Sequence, residues 1–265
     1  MARMLITGCS TGFGRATAIE ATRRGHDVVA TARRPETLAD LDVAATAALD
    51  VDDPIAVTTA VDAAGPIDAL VNNAGFGVHG PVEYLPIDAV RSVFETNLLG
   101  AIRTIQAVLP GMRARGAGVI VNLSSVAGVV GTPFGGGYGA SKWALEGMSE
   151  SLHYEVGHFG IRVVLIEPGV FETGFQDNDR AIDEDRPPYD ELHRQWDGAA
   201  TRLSGEHGPP GPEPVAAAIV DAIEDPNTPL RVPVGVDAEL VANARSAMSD
   251  AEFEATMRQT LDIAW

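Results

Sequence analysis

Tyr138 and Lys142 are four residues apart. Because four residues make about one helical turn, their side chains share a face if this segment is helical. A phenol has an unperturbed pKa of about 10, and a neighbouring ammonium group lowers that pKa by favouring the phenolate. A phenol with a lowered pKa can exchange a proton with a carbonyl or an alcohol near neutral pH. Ser125 and Asn97 lie upstream as further polar candidates. Taken alone, the spacing also fits a surface lysine beside a half-buried tyrosine.

A glycine-rich turn near the N-terminus is a second candidate site. Residues 4–6 form an apolar run, and three glycines separate it from a helical pattern at about 13–24. Glycines between a strand and a helix let the backbone approach a pyrophosphate, and the helix N-terminus offers free amide donors and a positive dipole end. The Gly-x-x-x-Gly-x-Gly spacing differs from the Gly-x-Gly-x-x-Gly dinucleotide fingerprint, and a tight turn without a ligand would give the same pattern. The predicted phosphate-binding residues are Gly8, Ser10, Thr11, Gly12, Phe13 and Gly14.

Apolar, strand-like runs alternate with helical patterns along the chain. This alternation predicts an α/β fold in which helices cover both faces of a parallel sheet. Right-handed crossovers would make the sheet doubly wound, with a ligand crevice at the carboxyl ends of its strands. We therefore predict one Rossmann-type domain over residues 1–265, with about seven strands. The predicted strands are residues 4–7, 27–32, 47–49, 69–72, 118–123, 162–167 and 230–234, and the predicted helices are about 13–24, 54–64, 87–115, 138–157 and 213–224.

The composition is that of a globular protein in a reducing compartment. Hydrophobic residues make up 45% of the 265 residues, which is enough for a large core. The single cysteine, Cys9, excludes an internal disulfide framework and is more typical of a packing residue than of a nucleophile. The six histidines show no metal-ligand spacing, so no metal site is predicted.

The charge and hydropathy of the chain limit the classes of partner and the cellular location that we expect for the protein. A formal charge of −18 disfavours binding to nucleic acid and to anionic membrane surfaces. The chain begins directly with a predicted strand, so we expect no signal peptide. No apolar run reaches about 18 residues, so we expect no membrane span. Together these observations predict a cytoplasmic protein that acts on a small molecule.

Taken together, the motifs resemble the short-chain dehydrogenase/reductase family. They occur in the family's order and at its spacing, from residue 4 to about residue 175. Residues 30–36 and 94–97 look most like the branch that contains 17β-hydroxysteroid-dehydrogenase-like and retinol-dehydrogenase-like enzymes. The matching motifs are Thr7-Gly8-x-x-x-Gly12-x-Gly14, Asn72-Asn73-Ala74-Gly75, Asn97, Ser125, Tyr138-x-x-x-Lys142 and Pro168-Gly169.

The resemblance implies a catalytic mechanism. Tyr138 would donate a proton to the substrate oxygen, and Lys142 would lower the pKa of Tyr138 and hold the nicotinamide ribose. Ser125 would hydrogen-bond the substrate oxygen, and Asn97 would position a water molecule behind Lys142. The implied function is an NADP(H)-dependent oxidoreductase that interconverts a ketone or aldehyde and an alcohol by hydride transfer. The alternatives are a non-catalytic NADP-binding sensor or scaffold on the same fold and, third, a sugar-nucleotide epimerase or dehydratase.

The residues after the second predicted strand favour NADP(H) over NAD(H). An acid at this position binds the ribose 2′-hydroxyl of NAD, whereas a basic residue accommodates the 2′-phosphate of NADP. Here the strand is followed by Arg33 and Arg34, with no acid at its end. Guanidinium groups suit phosphate geometry, although a solvated basic pair would look the same in sequence.

Three further segments are expected to touch the cofactor. By resemblance, Asp50 and Val51 contact the adenine, although Asp50 also suits a turn after a strand. Small residues at Asn73, Ala74 and Gly75 would let the backbone pass close to the cofactor, although each Asn also suits a structural role in a turn. In the family, the segment after the sixth strand wraps the nicotinamide; here it comprises Pro168, Gly169, Val170 and Thr173.

The stretch from residue 174 to residue 214 interrupts the alternation and is rich in Asp, Glu, Pro and Gly. A loop of this length inside a compact domain usually has a function. In the family, the matching region forms a helical flap over the substrate. We therefore predict a flexible substrate lid, which carries Phe175, Tyr189, His193 and Trp196.

The residues expected near the substrate are largely apolar. They favour a hydrophobic ketone or alcohol, although ordinary core packing gives the same composition. His79 is a further candidate for the pocket wall. From the resemblance we also expect a homodimer or homotetramer packed through the helices at about 87–115 and 138–157. The apolar candidates are Phe76, Val78, Val129, Val130, Phe134, Val170, Phe171 and Phe175.

Overall fold

The computed structural model describes residues 1–175, 179–183, 186–203 and 208–264, and for residues 198–203 it describes the backbone alone. Its strands are β1 (Arg3–Ile6), β2 (Asp27–Ala32), β3 (Ala45–Ala48), β4 (Ala69–Asn72), β5 (Val78–His79), β6 (Gly118–Leu123), β7 (Ile161–Pro168), β8 (Arg180–Ala181) and β9 (Arg231–Val234). Seven of them form a parallel sheet in the order β3-β2-β1-β4-β6-β7-β9. The seven predicted strands are confirmed, each to within two residues at either end.

Helices cover both faces of this sheet. One face is packed by the first and seventh helices, where Ala18 and Ile219 share a core with Ile6. The other face is packed by the second, fourth and fifth helices, where Leu152 shares a core with Leu5. Successive strand side chains point to opposite faces, so the same strands build both cores. The helices are α1 (Gly12–Arg23), α2 (Pro54–Ala64), α3 (Ile87–Phe94), α4 (Ala101–Arg115), α5 (Gly136–Val156), α6 (Asp190–Leu203), α7 (Glu213–Glu224), α8 (Val236–Ala247) and α9 (Asp250–Leu261).

The predicted helix at 87–115 is divided in two. A π-helical segment, Glu95–Gly100, separates α3 from α4. Inside it, the Asn97 amide exchanges two hydrogen bonds with the backbone of Phe76. At its end, Gly100 lies so close to Val51 that a methyl group there would be 2.7 Å from Val51 Cγ2. π-Bulges of this kind occur often at functional sites, and hydrophobic periodicity cannot reveal them.

The stretch from 174 to 214 is more ordered in its described parts than the sequence predicts. Its strand β8 pairs with β5 in a separate two-stranded parallel ribbon. Its helix α6 packs on α9, where Trp196 and Leu192 contact Leu261. Residues 176–178, 184–185 and 204–207 of the predicted lid lie outside the described residues. The sequence prediction also missed the helices α8 and α9.

Candidate active site

The carboxyl ends of β1 and β4 flank the point where the strand order reverses, and a cleft of about 510 Å³ opens there. Ligands of open α/β sheets bind at such switch points. The predicted site residues that line the cleft are Gly8, Ser10, Thr11, Gly12, Phe13, Arg33, Asp50, Val51, Asn73, Ala74, Gly75, Ser125, Tyr138, Lys142, Pro168, Gly169, Val170 and Thr173. Gly14, Arg34 and Asn97 are not part of this lining.

The glycine turn forms a cradle at the start of α1. Gly8 and Gly12 have φ angles of +73° and +58°, which side chains disfavour. Thr11 is the N-cap of α1 and makes no side-chain cap hydrogen bond, so the first amides of the helix remain available to a ligand. A methyl group at Gly14 would overlap the Asn73 amide and the Gly8 carbonyl. The cradle therefore has the shape and the donors that a pyrophosphate needs.

Asn73 holds this cradle together. Its Nδ2 donates to the Thr7 carbonyl at 2.8 Å and to the Gly8 carbonyl at 3.0 Å. The Thr7 hydroxyl accepts from the backbone amides of Asn73 and Ala74, both at 3.0 Å. The Asn73 side-chain amide thus holds the glycine loop in place. Asn73 also lines the cleft, as predicted.

The ribose end of the cleft is basic on one side and acidic on the other. Arg33 follows β2, is exposed and lines the cleft, whereas Arg34 is exposed outside the lining. Asp50 and Val51 lie past the end of β3, which stops at Ala48, and both line the cleft. The Asp50 carboxylate accepts from the Asp52 amide at 3.1 Å, so it also serves as a turn residue.

Tyr138 and Lys142 lie on one face of α5, as predicted. The Lys142 Nζ is 5.7 Å from the centroid of the Tyr138 ring and donates to the Leu123 carbonyl at 2.7 Å. Ser125 follows β6 and caps a short turn, in which its hydroxyl accepts from the Ala127 amide at 3.1 Å. Ser125, Tyr138 and Lys142 all line the cleft, so the structure brings the predicted proton-transfer groups together.

Burial dominates the titration of these two groups. It raises the pKa of Tyr138 above its usual value, helped by the negative charge of Asp179 and opposed by the neighbouring Ser125 hydroxyl. Burial also lowers the pKa of Lys142 to about 8, while the charge of Glu146 acts in the opposite sense. The sequence predicts a lowered pKa for Tyr138, whereas in this arrangement desolvation of the phenolate is the largest influence and acts in the opposite direction.

Asn97 is buried behind the cleft. Its Nδ2 donates to the Phe76 carbonyl and to the Ser141 hydroxyl, both at 3.0 Å, and its Oδ1 accepts from the Phe76 amide at 3.1 Å. A separate cavity of about 10 Å³ is lined by Asn97 and by Lys142. That volume is about one water-sized sphere, so the two side chains face a space of the size that the predicted relay requires.

The segment from Pro168 to Thr173 closes the cleft opposite β4. The Gly169 amide donates to Val234, and the Val170 amide donates to the Asp237 carboxylate at 2.7 Å. A methyl group at Gly169 would overlap that carboxylate, so a side chain there would displace Asp237 from the Val170 amide. Thr173 lies 3.4 Å from the place a Gly12 methyl would occupy, which brings this segment against the glycine cradle.

The ribbon of β5 and β8 brings His79, a predicted pocket-wall residue, into the cleft together with Asp179 and Arg180, which the sequence prediction missed. The Asp179 carboxylate is 3.3 Å from the His79 Nε2 and accepts from the Gly77 amide at 2.8 Å. The His79 ring lies 5.7 Å from the Tyr138 ring, and Arg180 stacks 5.1 Å from the Phe76 ring. Their place in the cleft depends on a pairing across about a hundred residues, for which neither segment carries a local signal.

The apolar pocket prediction is partly met. The lining includes four of the apolar candidates, Phe76, Val170, Phe171 and Phe175, and leaves out the other four, Val78, Val129, Val130 and Phe134.

Cys9 is fully buried, and burial raises the pKa of its thiol to about 12, as suits a packing residue. Within the described ranges, no three His, Cys, Asp or Glu side chains are grouped as metal ligands. None of the helices there is long and apolar enough to cross a membrane.

Known sequences resemble this chain over most of its length. A family model described as short chain dehydrogenase matches residues 2–184. The 3-ketodihydrosphingosine reductase of Bacteroides thetaiotaomicron is 36% identical over 261 residues, which cover 96% of each chain. Human retinol dehydrogenase 8 is 41% identical over 186 residues, 65% of this chain and 60% of that protein. Human 17-beta-hydroxysteroid dehydrogenase type 1 is 37% identical over 248 residues, 86% of this chain and 76% of that protein.

Solved structures share the whole architecture. A short-chain dehydrogenase from Streptomyces avermitilis has a TM-score of 0.83 at 35% identity, covering 100% of this chain and 98% of that one. A serine dehydrogenase complexed with NADP+ has a TM-score of 0.72 at 28% identity, covering 88% and 95%. A short-chain dehydrogenase from Burkholderia phymatum in complex with NAD has a TM-score of 0.77 at 26% identity, covering 96% and 95%. Proteins of this architecture therefore bind either nucleotide.

Proposed function

The chain belongs to the short-chain dehydrogenase family of oxidoreductases, and on that premise we propose that it interconverts a ketone or aldehyde and an alcohol by hydride transfer with NADP(H). The observation that carries the proposal is the convergence of Ser125, Tyr138 and Lys142 on one cleft whose other end is the glycine cradle. A reduction needs a hydride donor and a proton donor at the same carbonyl group, and this cleft offers a place for each.

The residues of the cleft divide the work. NADPH, when bound, supplies the hydride. Tyr138 donates the proton to the developing alkoxide, and Ser125 hydrogen-bonds the same oxygen. Lys142 holds the nicotinamide ribose and provides the positive charge beside Tyr138. Asn97 holds a water in the small cavity that it shares with Lys142. Alcohol oxidation uses the same groups in reverse.

Arg33 supports NADP(H) as the preferred nucleotide. It is the first residue after β2, it lines the cleft, and no carboxylate stands at that strand end to receive a ribose 2′-hydroxyl. A guanidinium group there suits a 2′-phosphate. Arg34, which is not part of the lining, is not needed for this preference.

The substrate end of the cleft combines apolar and charged walls. The Phe175 ring lies 5.6 Å from the Tyr138 ring, and the ring of His79, which pairs with Asp179, lies 5.7 Å from it. We propose an amphipathic carbonyl compound, with an apolar body and a polar group near the reacting carbon. The named relatives suggest 3-ketodihydrosphingosine, retinoid and steroid carbonyls as the first compounds to assay.

The decisive experiment measures NADPH oxidation with these carbonyls for the parent and for Tyr138→Phe. The substitution keeps the ring and removes the transferable proton, so turnover should fall at least about a hundredfold. NADPH affinity should remain. Tyr154→Phe is the matched control, since Tyr154 lies on the same helix but is exposed. Near-parent turnover in Tyr138→Phe would refute the mechanism, and NADPH binding without turnover of any carbonyl would favour the sensor alternative.

Assembly and the lid extend the proposal. Trp143 and Tyr154 are exposed aromatic residues on α5, which supports a homodimer or homotetramer formed through α4 and α5. We further propose that residues 174–214 close over bound substrate and exclude water during hydride transfer, in a protein that acts in the cytoplasm.

A further inference from the structure

Two buried carboxylates, Glu146 and Glu167, lie around Arg231, and Glu146 is on the same helix as Lys142. Glu146 follows Lys142 by one helical turn on α5, and its exposed fraction is only 5%. Glu167 stands near the end of β7 and is 2% exposed. Ionised carboxylates are costly to bury unless other charges compensate them. Two of them at this depth need an explanation.

Arg231 on β9 compensates only part of this charge. Its Nε donates to the Glu146 Oε2 at 2.9 Å and lies 3.7 Å from the Glu167 Oε1, and its other arm donates to Glu150 at 2.7 Å. The Oε1 atoms of Glu146 and Glu167 accept no hydrogen bond from the described residues. One guanidinium group thus lies against both carboxylates, and the charge of Lys142 acts on Glu146 in addition.

Glu146 leaves α5 beside Lys142, and it is the charged group that acts on the Lys142 ammonium. A methyl group at Gly128 would be 3.1 Å from the Glu146 Cγ and 3.4 Å from the Lys142 Cβ, so the two side chains leave the helix over the same spot. The Lys142 Nζ itself is held by the Leu123 carbonyl, a neutral acceptor. The charged or titratable groups that face this region are Tyr138 and Glu146 on α5, Glu167 on β7, Arg231 on β9, and His79 and Asp179 on the ribbon across the cleft.

We propose that Glu146 is a positioning residue of the hydride-transfer site, which keeps the buried Lys142 ammonium protonated while Arg231 fixes the Glu146 carboxylate in place. The catalytic part of this inference rests on the proposed function. The charge coupling is a property of the fold. Burial lowers the pKa of Lys142 to about 8, and Glu146 is the group that raises it against that trend. Without Glu146, Lys142 would lose its proton closer to neutral pH, together with the charge that holds the ribose.

Glu150 provides a matched comparison. It lies on the same helix and binds the same arginine, but it is one turn further from Lys142 and 46% of its side chain is exposed. Solvent screens a charge in that position. Glu150→Gln therefore makes the same chemical change as Glu146→Gln but leaves the charge beside Lys142 in place.

Lys142 is the only lysine in the sequence, so its titration can be followed without interference. In protein labelled with [ε-13C]lysine, one side-chain signal reports the protonation of Lys142. Glu146→Gln should lower its midpoint by about one pH unit, since loss of an adjacent opposite charge shifts a buried group by this order. Glu146→Asp should restore most of the shift, and Glu150→Gln should leave the midpoint unchanged.

The direction of the shift separates charge loss from damage to the fold. Unfolding would move the midpoint up toward the usual lysine value of 10.5, the opposite of the expected change. Glu146→Leu fills a similar volume and serves if Glu146→Gln does not fold. A midpoint that stays in place or rises in the folded variant overturns the proposal.

A kinetic measurement then links the charge to the reaction. In Glu146→Gln, NADPH affinity should match the parent at pH 6 and fall at least about threefold below it at pH 8, because the parent keeps about half of the Lys142 charge there, whereas the variant has lost most of it. Equal affinity ratios at both pH values would remove Glu146 from the positioning of Lys142. A parent that turns over no carbonyl would refute the proposed function, while the lysine titration would still decide the coupling.

Discussion

Asn73 lines the cleft and Asn97 lies buried behind it, and both use their side-chain amides to hold backbone groups. Asn73 ties the glycine cradle to Thr7, and Asn97 ties the π-helical segment to Phe76. Arg33 differs, because it lines the cleft and no ion pair of its guanidinium group is seen among the described residues. Polar residues that hold the site together thus have hydrogen-bond partners within the protein, whereas polar residues that face the ligand do not. The sequence does not show which residues have such partners.

Arg33 can be tested against its neighbour. Arg33→Ala removes a charge-assisted contact worth about 1.5–3 kcal/mol, so NADPH should bind at least about tenfold more weakly. NADH affinity should hardly change, because NADH lacks the 2′-phosphate. Arg34→Ala, outside the cleft lining, is the control and should alter neither affinity. Equal affinity of the parent for both nucleotides, measured by fluorescence titration, would contradict the assignment.

Burial explains where single-residue prediction failed. The four-residue spacing placed Tyr138 and Lys142 correctly, because helical periodicity is local. It could not show that both side chains would be enclosed, which reverses the expected pKa direction of Tyr138. Glu146 follows Lys142 by another four residues, so the same helical spacing could have predicted that it lies beside Lys142.

The elements around the cleft are of two kinds. The seven sheet strands and the helices α1, α2, α5 and α7 follow from alternating periodicity, and their prediction is confirmed, whereas the predicted helix at 87–115 is divided in two. The π-helical segment and the ribbon of β5 and β8 depend on contacts between distant residues, so no local pattern announces them. For α9 a signal was present, because Ser249 and Glu252 form a capping box at its start.

Gly80 tests the ribbon as an element. It has a φ of +150°, and a methyl group there would overlap the Ile182 carbonyl. Gly80→Ala should cost of order 1–3 kcal/mol of stability and open the ribbon. The amides of Arg180 and Ile182, which bond to β5 and its flank, should then exchange hydrogen faster.

Gly147→Ala is the control for this substitution. Gly147 lies inside α5 with nothing within 4 Å of an added methyl group, so alanine should stabilise by about 0.5–1 kcal/mol. Mass-spectrometric hydrogen exchange over residues 179–183 measures the effect. Unchanged exchange in Gly80→Ala would mean that the ribbon does not depend on Gly80.

For the whole molecule, the buried carboxylates predict how stability varies with pH. Burial and the proximity of Glu146 raise the pKa of Glu167 from 4.5 to about 7. Between these values the folded protein retains a proton that the unfolded chain releases. The free energy of unfolding should therefore fall as pH rises through this window, by up to about 3 kcal/mol from Glu167.

Glu167→Gln removes this titration. Its stability relative to the parent should increase by about 2–3 kcal/mol between pH 4.5 and pH 7.5, as measured by urea denaturation. Glu150→Gln, the exposed member of the same cluster, should show no such trend. A stability difference for Glu167→Gln that is constant with pH would show that Glu167 is ionised throughout.

The packing of α1 against α7 has a consequence for synthesis on the ribosome. Both helices cover the sheet face on which Ile6 and Val71 lie, yet α7 is made only after most of the chain has emerged. Until α7 is made, the apolar residues on this face of the sheet stay partly exposed in the nascent chain, and exposed apolar surfaces favour aggregation. Strand β9, which completes the sheet, comes later still. Folding of this domain is therefore expected to finish only after α7 and β9 have been made, and production should depend on chaperones that hold the nascent chain until then.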